Sequence, residues 1–144
     1  MKTQLLRFAL FFVGLALAAS AMAQSRPGDV RVQVPFSFHV GNRQLPPGSY
    51  VVAPAAQGLV HIFNTKESHS QIFTPVFRLQ SPASQTPKLV FHRYGASYFL
   101  TEVWNANGTI GRELPRSKAE QEFASGKVTG SRLNREVAEV RANQ

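Results

Sequence analysis

The chain has 144 residues and a formal net charge of +8, from 16 basic and eight acidic residues. It contains no cysteine, which excludes disulfides, thiolate metal sites and a cysteine-linked lipid anchor. The excess of basic residues permits binding to an anionic lipid, polysaccharide or nucleic acid. Keeping an exported protein soluble is the alternative explanation of this charge.

Residues 1–23 have the three parts of a secretory signal peptide: a basic head, an apolar run over 8–19, and small residues before a cut. The apolar run is shorter than the ~20 residues that a membrane span needs. The pattern predicts an exported protein, periplasmic or secreted, that begins near Gln24 and has no membrane span after signal removal. Loss of Lys2 and Arg7 leaves 14 basic and eight acidic residues, a net charge of +6.

Residues 30–40 alternate strictly between apolar and polar positions, which predicts a strand with one buried face. Pro35 lacks an amide donor, so this strand is expected at a sheet edge or at a bulge. Gly41 and Asn42 then supply a tight hairpin turn.

Six further segments predict strands: residues 50–53, 59–63, 71–79, 88–94, 97–104 and 109–114. Seven short strands at a spacing of about 8–12 residues are typical of small all-β domains. The predicted fold is mainly β, an antiparallel meander over residues 24–114 that forms a small barrel or sandwich.

Residues 115–144 are predicted to be a C-terminal helical segment. Ser117 and Glu120 form a capping-box pattern, in which the serine hydroxyl accepts from the third amide and the glutamate reaches back to the serine. The helix is expected over 118–125 and ends at Gly126, a common helix terminator.

The final residues carry apolar side chains at Leu133, Val137 and Val140, spaced by four and three. This spacing predicts a second, weak helix over 133–140. The charged residues between them equally favour a frayed end.

Four histidines are present, and none lies in a spacing typical of a metal site. No metal or other cofactor is therefore expected. The four are His39, on the polar face of the first strand, and His61, His69 and His92.

Catalytic motifs are equally scarce, since the chain has no GxSxG elbow and no phosphate-binding glycine loop. Glu102 and Glu113 fall on adjacent predicted strands and could face one another as a pair of carboxylates. Ion pairs with Arg93 or Arg112 are the simpler interpretation of these two glutamates. We predict a protein that is not an enzyme, with a hydrolase using Glu102, Glu113 and a histidine as the alternative.

Strict alternation would place Tyr98, Leu100, Glu102 and Trp104 on one face of the strand over 97–104. Aromatic residues near basic ones are typical of nucleic-acid binding. Export makes nucleic acid an unsuitable partner, and aromatic residues in strands commonly pack in the core. No nucleic-acid binding is expected.

The chain is rich in large aromatic residues for one small domain. This excess either lines an apolar ligand pocket or fills the core between two sheets. If a pocket exists, the candidate ligand-binding residues are Phe91, Tyr94, Tyr98 and Trp104.

Three stretches in this order, residues 34–50, 91–100 and 112–120, resemble a group of short exported proteins of unknown function, common in acidobacteria and related soil bacteria. Their motifs are a hairpin, a Pro-Gly turn, paired strands and a helix cap. The resemblance implies a β-rich exported domain and assigns no activity and no binding residue.

The sequence therefore predicts a non-enzymatic binding module whose partner is a small apolar ligand or an envelope component, including an anionic one. Besides the hydrolase, a structural envelope subunit is a further alternative. Such a subunit would pair through an exposed strand edge, and a strand over 30–40 left unpaired on one side would favour it.

Overall fold

The computed structural model describes residues 27–81, 86–105 and 109–142, so the predicted signal peptide lies outside the described residues. The described chain is mainly β, with one α-helix near its C-terminal end, α1 (Lys118–Ser125). Its strands, in chain order, are β1 (Val30–Val34), β2 (Phe38–Val40), β3 (Arg43–Leu45), β4 (Gly48–Pro54), β5 (Leu59–Asn64), β6 (Gln71–Pro75), β7 (Phe77–Gln80), β8 (Lys88–Tyr94), β9 (Ser97–Trp104), β10 (Ile110–Glu113) and β11 (Glu136–Arg141).

The strands form two sheets. The small sheet has the order β1-β4-β5-β6, with antiparallel neighbours throughout. The large sheet has the order β11-β8-β9-β10-β7, also antiparallel, and β2 joins it beside β9. The β2–β9 pair is parallel, whereas β2 and β3 form the antiparallel hairpin predicted at Gly41 and Asn42.

One apolar core lies between the two sheets, because its buried side chains come from both. The small sheet contributes Val30, Val32, Val34, Tyr50, Val52, Val60 and Ile62. The β2–β3 hairpin and the large sheet, with the residue after β10, contribute Phe38, Val40, Leu45, Leu89, Phe91, Leu100, Val103 and Leu114. The described strands thus form two open sheets packed face to face, the sandwich form of the predicted fold.

The prediction of a single strand over residues 30–40 is wrong, because residues 35–37 separate two strands, β1 and β2. Pro35 cannot donate to a ladder, and β1 and β2 belong to different sheets. The predicted strand over 71–79 likewise divides at Val76, between β6 in the small sheet and β7 in the large one. β1 ends the small sheet, with its other side against β11.

The weak helix or frayed end predicted over residues 133–140 is also wrong. Residues 136–141 form β11, which pairs along its whole length with β8. Ala138 and Val140 pack on the core, whereas Val137 is 63% exposed. The burial therefore follows the period of two of a strand, and backbone pairing with β8 decides the conformation.

Helix α1 confirms the predicted bounds and both predicted ends. The Ser117 hydroxyl accepts a hydrogen bond from the Glu120 amide at 3.1 Å, and Gly126 ends the helix at φ 79°. Within residues 27–81, 86–105 and 109–142, no helix has the length and hydropathy to cross a bilayer.

Candidate functional site

Helix α1 covers part of the outer face of the large sheet, the face turned away from the core. Core residues Leu89 and Phe91 alternate along β8 with His92 and Tyr94, which belong to the outer face. The Phe123 ring of the helix lies 5.4 Å from the ring of Phe99 on β9. The helix is therefore held to the sheet by aromatic packing, and this packing positions the polar residues beside it.

Glu120, on the first turn of α1, is a buried carboxylate that is 3% exposed. Its Oε1 lies 2.7 Å from Nδ1 of His92 and accepts from the Tyr94 hydroxyl at 3.2 Å and from Nε of Arg116 at 3.3 Å. The capping-box pattern also predicts that the Glu120 side chain reaches back to Ser117, and this part of the prediction is wrong. The carboxylate turns to β8 because His92 and Tyr94 on that strand, together with Arg116 before the helix, compensate for its burial.

Arg116 and Tyr94 close this hydrogen-bond network. Nη2 of Arg116 donates to the Tyr94 hydroxyl at 2.8 Å. This hydrogen bond, with a smaller contribution from Glu120, raises the pKa of the Arg116 guanidinium. Arg116 is therefore a fixed cation, and its Nη1 makes no hydrogen bond to the described residues.

A cleft of about 240 Å³ opens beside the network. Its lining is mostly charged or polar, and comprises His92, Thr101, Glu113, Leu114, Arg116, Glu120 and Arg135. The Thr101 hydroxyl is already committed, because it donates to the carbonyl of Val90 at 3.1 Å. The exposed Glu113 and Arg135 make no ion pair with any described residue, so both are available to a ligand.

The four candidate ligand-binding residues do not meet in one pocket. Phe91 is fully buried in the core, and Tyr98 packs beside it, stacked on Phe36 at 3.8 Å. Tyr94 lies on the outer face, in the Glu120 network. Trp104 is 8% exposed and lies opposite Gly111 of β10, with its indole Nε1 donating to Glu102 at 2.7 Å.

A β-bulge explains why Tyr98 and Trp104 separate, so the prediction that they share one face is wrong. Phe91 pairs with Leu100, whereas the preceding Val90 pairs with Glu102, so β9 carries one extra residue there. Leu100 and Val103 both reach the core. The alternation shifts by one residue, and Trp104 turns to the outer face.

Glu102 and Glu113 lie directly opposite one another on β9 and β10, as the sequence predicts. Neither glutamate forms the ion pair predicted for it, and Glu102 instead accepts a hydrogen bond from the indole of Trp104. Arg93 instead lies 3.4 Å from Glu136 of β11. Only Glu113 of the two glutamates lines the cleft.

The histidines lie on separate elements, with His39 on β2, His61 on β5 and His92 on β8. His39 stacks on Phe99 at 4.6 Å, in a half-buried position under α1 rather than on an open polar face. His61 stacks on Phe73 at 4.1 Å, on the outer face of the small sheet. Within the described residues, no group of three or more metal-ligating side chains converges on a site.

Glu120, Arg116 and Arg135 are the site residues that the sequence does not predict. Glu120 is recognisable as a capping residue, but its turn towards β8 depends on tertiary packing. Arg135 enters the cleft because β11 pairs with β8, whereas the spacing of the apolar residues in this segment predicts a helix.

No protein family model, curated protein or solved structure matches the chain.

Proposed function

We propose that this chain is an exported, non-enzymatic binding protein, and that the cleft beside Glu120 binds an anionic group of an envelope component. The proposal rests on the guanidinium groups of Arg116 and Arg135. Both line the cleft, and both keep donors that no described residue uses. Arginine binds carboxylates and phosphates through two parallel hydrogen bonds, which suits this role.

The buried carboxylate does not oppose an anionic ligand. Glu120 already accepts from Tyr94 and Arg116 and lies against His92, so its charge is compensated inside the protein. Glu113 is the acidic group left at the cleft, and it can accept from a hydroxyl of the same ligand. An acidic sugar, with one carboxylate and several hydroxyls, matches this combination of Arg135 and Glu113.

The size and lining of the cleft favour a small polar group over an apolar molecule. Pockets for drug-sized ligands have volumes of roughly 300–1,000 Å³ and mainly apolar walls. This cleft is smaller, at about 240 Å³, and Leu114 is the apolar residue of its lining. The net charge of +6 after signal removal would in addition raise the association rate with anionic partners.

Titration of the mature chain, residues 24–144, with trigalacturonic acid tests this proposal, with neutral maltotriose as the matched sugar. Amide NMR shifts at low ionic strength measure binding and locate it. We expect shifts around the cleft with the acidic sugar only, and a dissociation constant at least about tenfold larger in Arg135→Gln. Arg31→Gln, on the exposed face of β1, is the control and should bind like the wild type.

Two results would overturn the cleft as the binding site. One is an equal response to the acidic and the neutral sugar. The other is unchanged affinity in Arg135→Gln, which removes no hydrogen bond or ion pair within the described residues and so should leave the fold intact.

A hydrolase is the second candidate, because one specific contact favours it. Nδ1 of His92 lies 2.7 Å from a buried carboxylate, an arrangement that orients an imidazole as a general base. The carboxylate is Glu120, in place of the predicted Glu102. Since the Thr101 hydroxyl is committed to the backbone, water would be the nucleophile, adding across the cleaved bond.

Release of reducing ends from polygalacturonate separates the two candidates. A hydrolase requires turnover that His92→Gln abolishes while binding persists. A binding protein gives no turnover in the wild-type chain, together with saturable binding.

A further inference from the structure

Two arginines lie directly opposite one another at the β7 edge of the large sheet. The register of the antiparallel β10–β7 pair places Arg112 against Arg78. Side chains in such opposed positions have Cβ atoms about 4.5–5.5 Å apart and share one face of the sheet. Like charges in this relationship destabilise the strand pair unless something of opposite charge lies between them.

The described part of the chain supplies no such counter-charge. Arg78 is exposed and Arg112 is partly exposed, and neither forms an ion pair or a hydrogen bond with a side chain among the described residues. Glu113 follows Arg112 directly in β10 and therefore points to the opposite face. Glu102, opposite Glu113, belongs to that same outer face and accepts from Trp104.

The next opposed pair along these strands adds a further polar group. Gln80 lies against Ile110, two residues beyond the arginines and on their face of the sheet. Gln80 is exposed, so its amide can donate to a ligand that the arginines hold. The arrangement is two guanidinium groups with an amide donor beside them, on the face opposite to the cleft.

We propose that Arg78 and Arg112 form a second anion site, which binds a phosphate or sulfate group between the two guanidiniums. A tetrahedral dianion accepts from both cations at once and replaces their repulsion with two charge-assisted contacts. The phosphate group belongs to a lipid headgroup or to a free or sugar-linked phosphate. This site does not depend on the proposed cleft, because Arg135 and Arg116 lie on the other face of the sheet.

Thermal unfolding of the mature chain in inorganic phosphate, against sodium chloride of equal ionic strength, tests the site. We expect phosphate to raise Tm more than chloride does, since a ligand that binds the folded state stabilises it. Arg78→Gln should raise Tm at low salt, because the repulsion is gone, and should abolish the additional effect of phosphate. Arg31→Gln, an exposed arginine on β1, is the matched control and should keep the phosphate effect.

If Arg78 had only a structural role, Arg78→Gln would not both raise Tm at low salt and abolish the effect of phosphate on Tm. Equal Tm in phosphate and chloride would overturn the proposal, as would a full phosphate effect in Arg78→Gln. Arg112→Gln provides a second variant and should reproduce the loss of the phosphate effect.

Flotation with vesicles of phosphatidylglycerol and phosphatidylcholine identifies the source of the phosphate. Binding that Arg78→Gln weakens at least about tenfold supports a lipid headgroup. A phosphate effect on Tm without vesicle binding supports a free or sugar-linked phosphate at the same site.

Discussion

Nδ1 of His92 lies 2.7 Å from Oε1 of Glu120, and this contact joins the helix to the large sheet across 28 residues of chain. Removing the carboxylate in Glu120→Ala leaves the buried Tyr94 hydroxyl and the mostly buried His92 imidazole without their acceptor on the helix. We expect a loss of about 2–4 kcal/mol in the free energy of unfolding, measured in urea. Glu122→Ala, on the same helix, should change it by no more than about 0.5 kcal/mol, since its contact with Lys118 is exposed and 4.0 Å long. Equal losses in the two variants would contradict the role given to Glu120.

Gly111 lies opposite Trp104, and any side chain there would meet the indole ring. A Cβ at this position would be 2.8 Å from the nearest ring atom, closer than real contacts allow. We therefore expect Gly111→Ala to cost about 1–3 kcal/mol of unfolding free energy and to change the tryptophan fluorescence. Ile110→Ala, the neighbouring and partly exposed position, is the control. A fluorescence spectrum unchanged by Gly111→Ala would show that the ring does not pack against this glycine.

Val137 and Val140 distinguish the strand from the helix that their spacing predicts. On a helix the two side chains would share a face, whereas on β11 only Val140 packs on the core. We expect Val140→Asp to lower the unfolding free energy by about 1–3 kcal/mol, because it places a carboxylate against apolar side chains. Val137→Asp should change it by about 0.5 kcal/mol or less. Similar losses from both substitutions would favour the helix.

We expect the partly buried His39 to make the folded protein less stable in mild acid. Burial lowers the pKa of its imidazole from 6.5, and its Nδ1 has no hydrogen-bond partner among the described residues. The unfolded chain therefore binds more protons than the folded one as the pH falls below 6.5, and the free energy of unfolding decreases.

Urea unfolding at about pH 7.5 and about pH 5.5 measures this effect. His39→Phe, which keeps an aromatic ring against Phe99, should show a smaller difference between the two pH values than the wild type. An equal difference would assign the pH dependence to other groups.

The local patterns predicted most of the elements, because alternation and capping residues act over a few neighbours. Helix α1 has its predicted bounds, since Ser117 and Gly126 determine its ends through local hydrogen bonds and backbone conformation. The bulge beside Val90 is different, because it depends on how β8 and β9 pair and no short-range pattern specifies it. That single extra residue places Trp104 on the other face and separates it from Tyr98.

The candidate site was harder to predict for the same reason. His92 and Glu113 were recognisable as polar residues of adjacent strands, but the cleft also needs Arg135, which reaches it through β11. The conformation of β11 depends on an unpaired edge of β8 that accepts it. The energy of that long-range pairing exceeds the weak helical preference of residues 133–140, so sequence spacing alone gave the wrong element.

The chain crosses between the sheets three times, from β1 to β2, from β3 to β4 and from β6 to β7. Each crossing takes three residues or fewer, so neither sheet can detach without separating the strands of the other. We expect the domain to unfold in one cooperative step, with no stage at which a single sheet survives alone. Transitions followed by far-ultraviolet circular dichroism and by fluorescence of Trp104 should then coincide, although the tryptophan reports only on the large sheet.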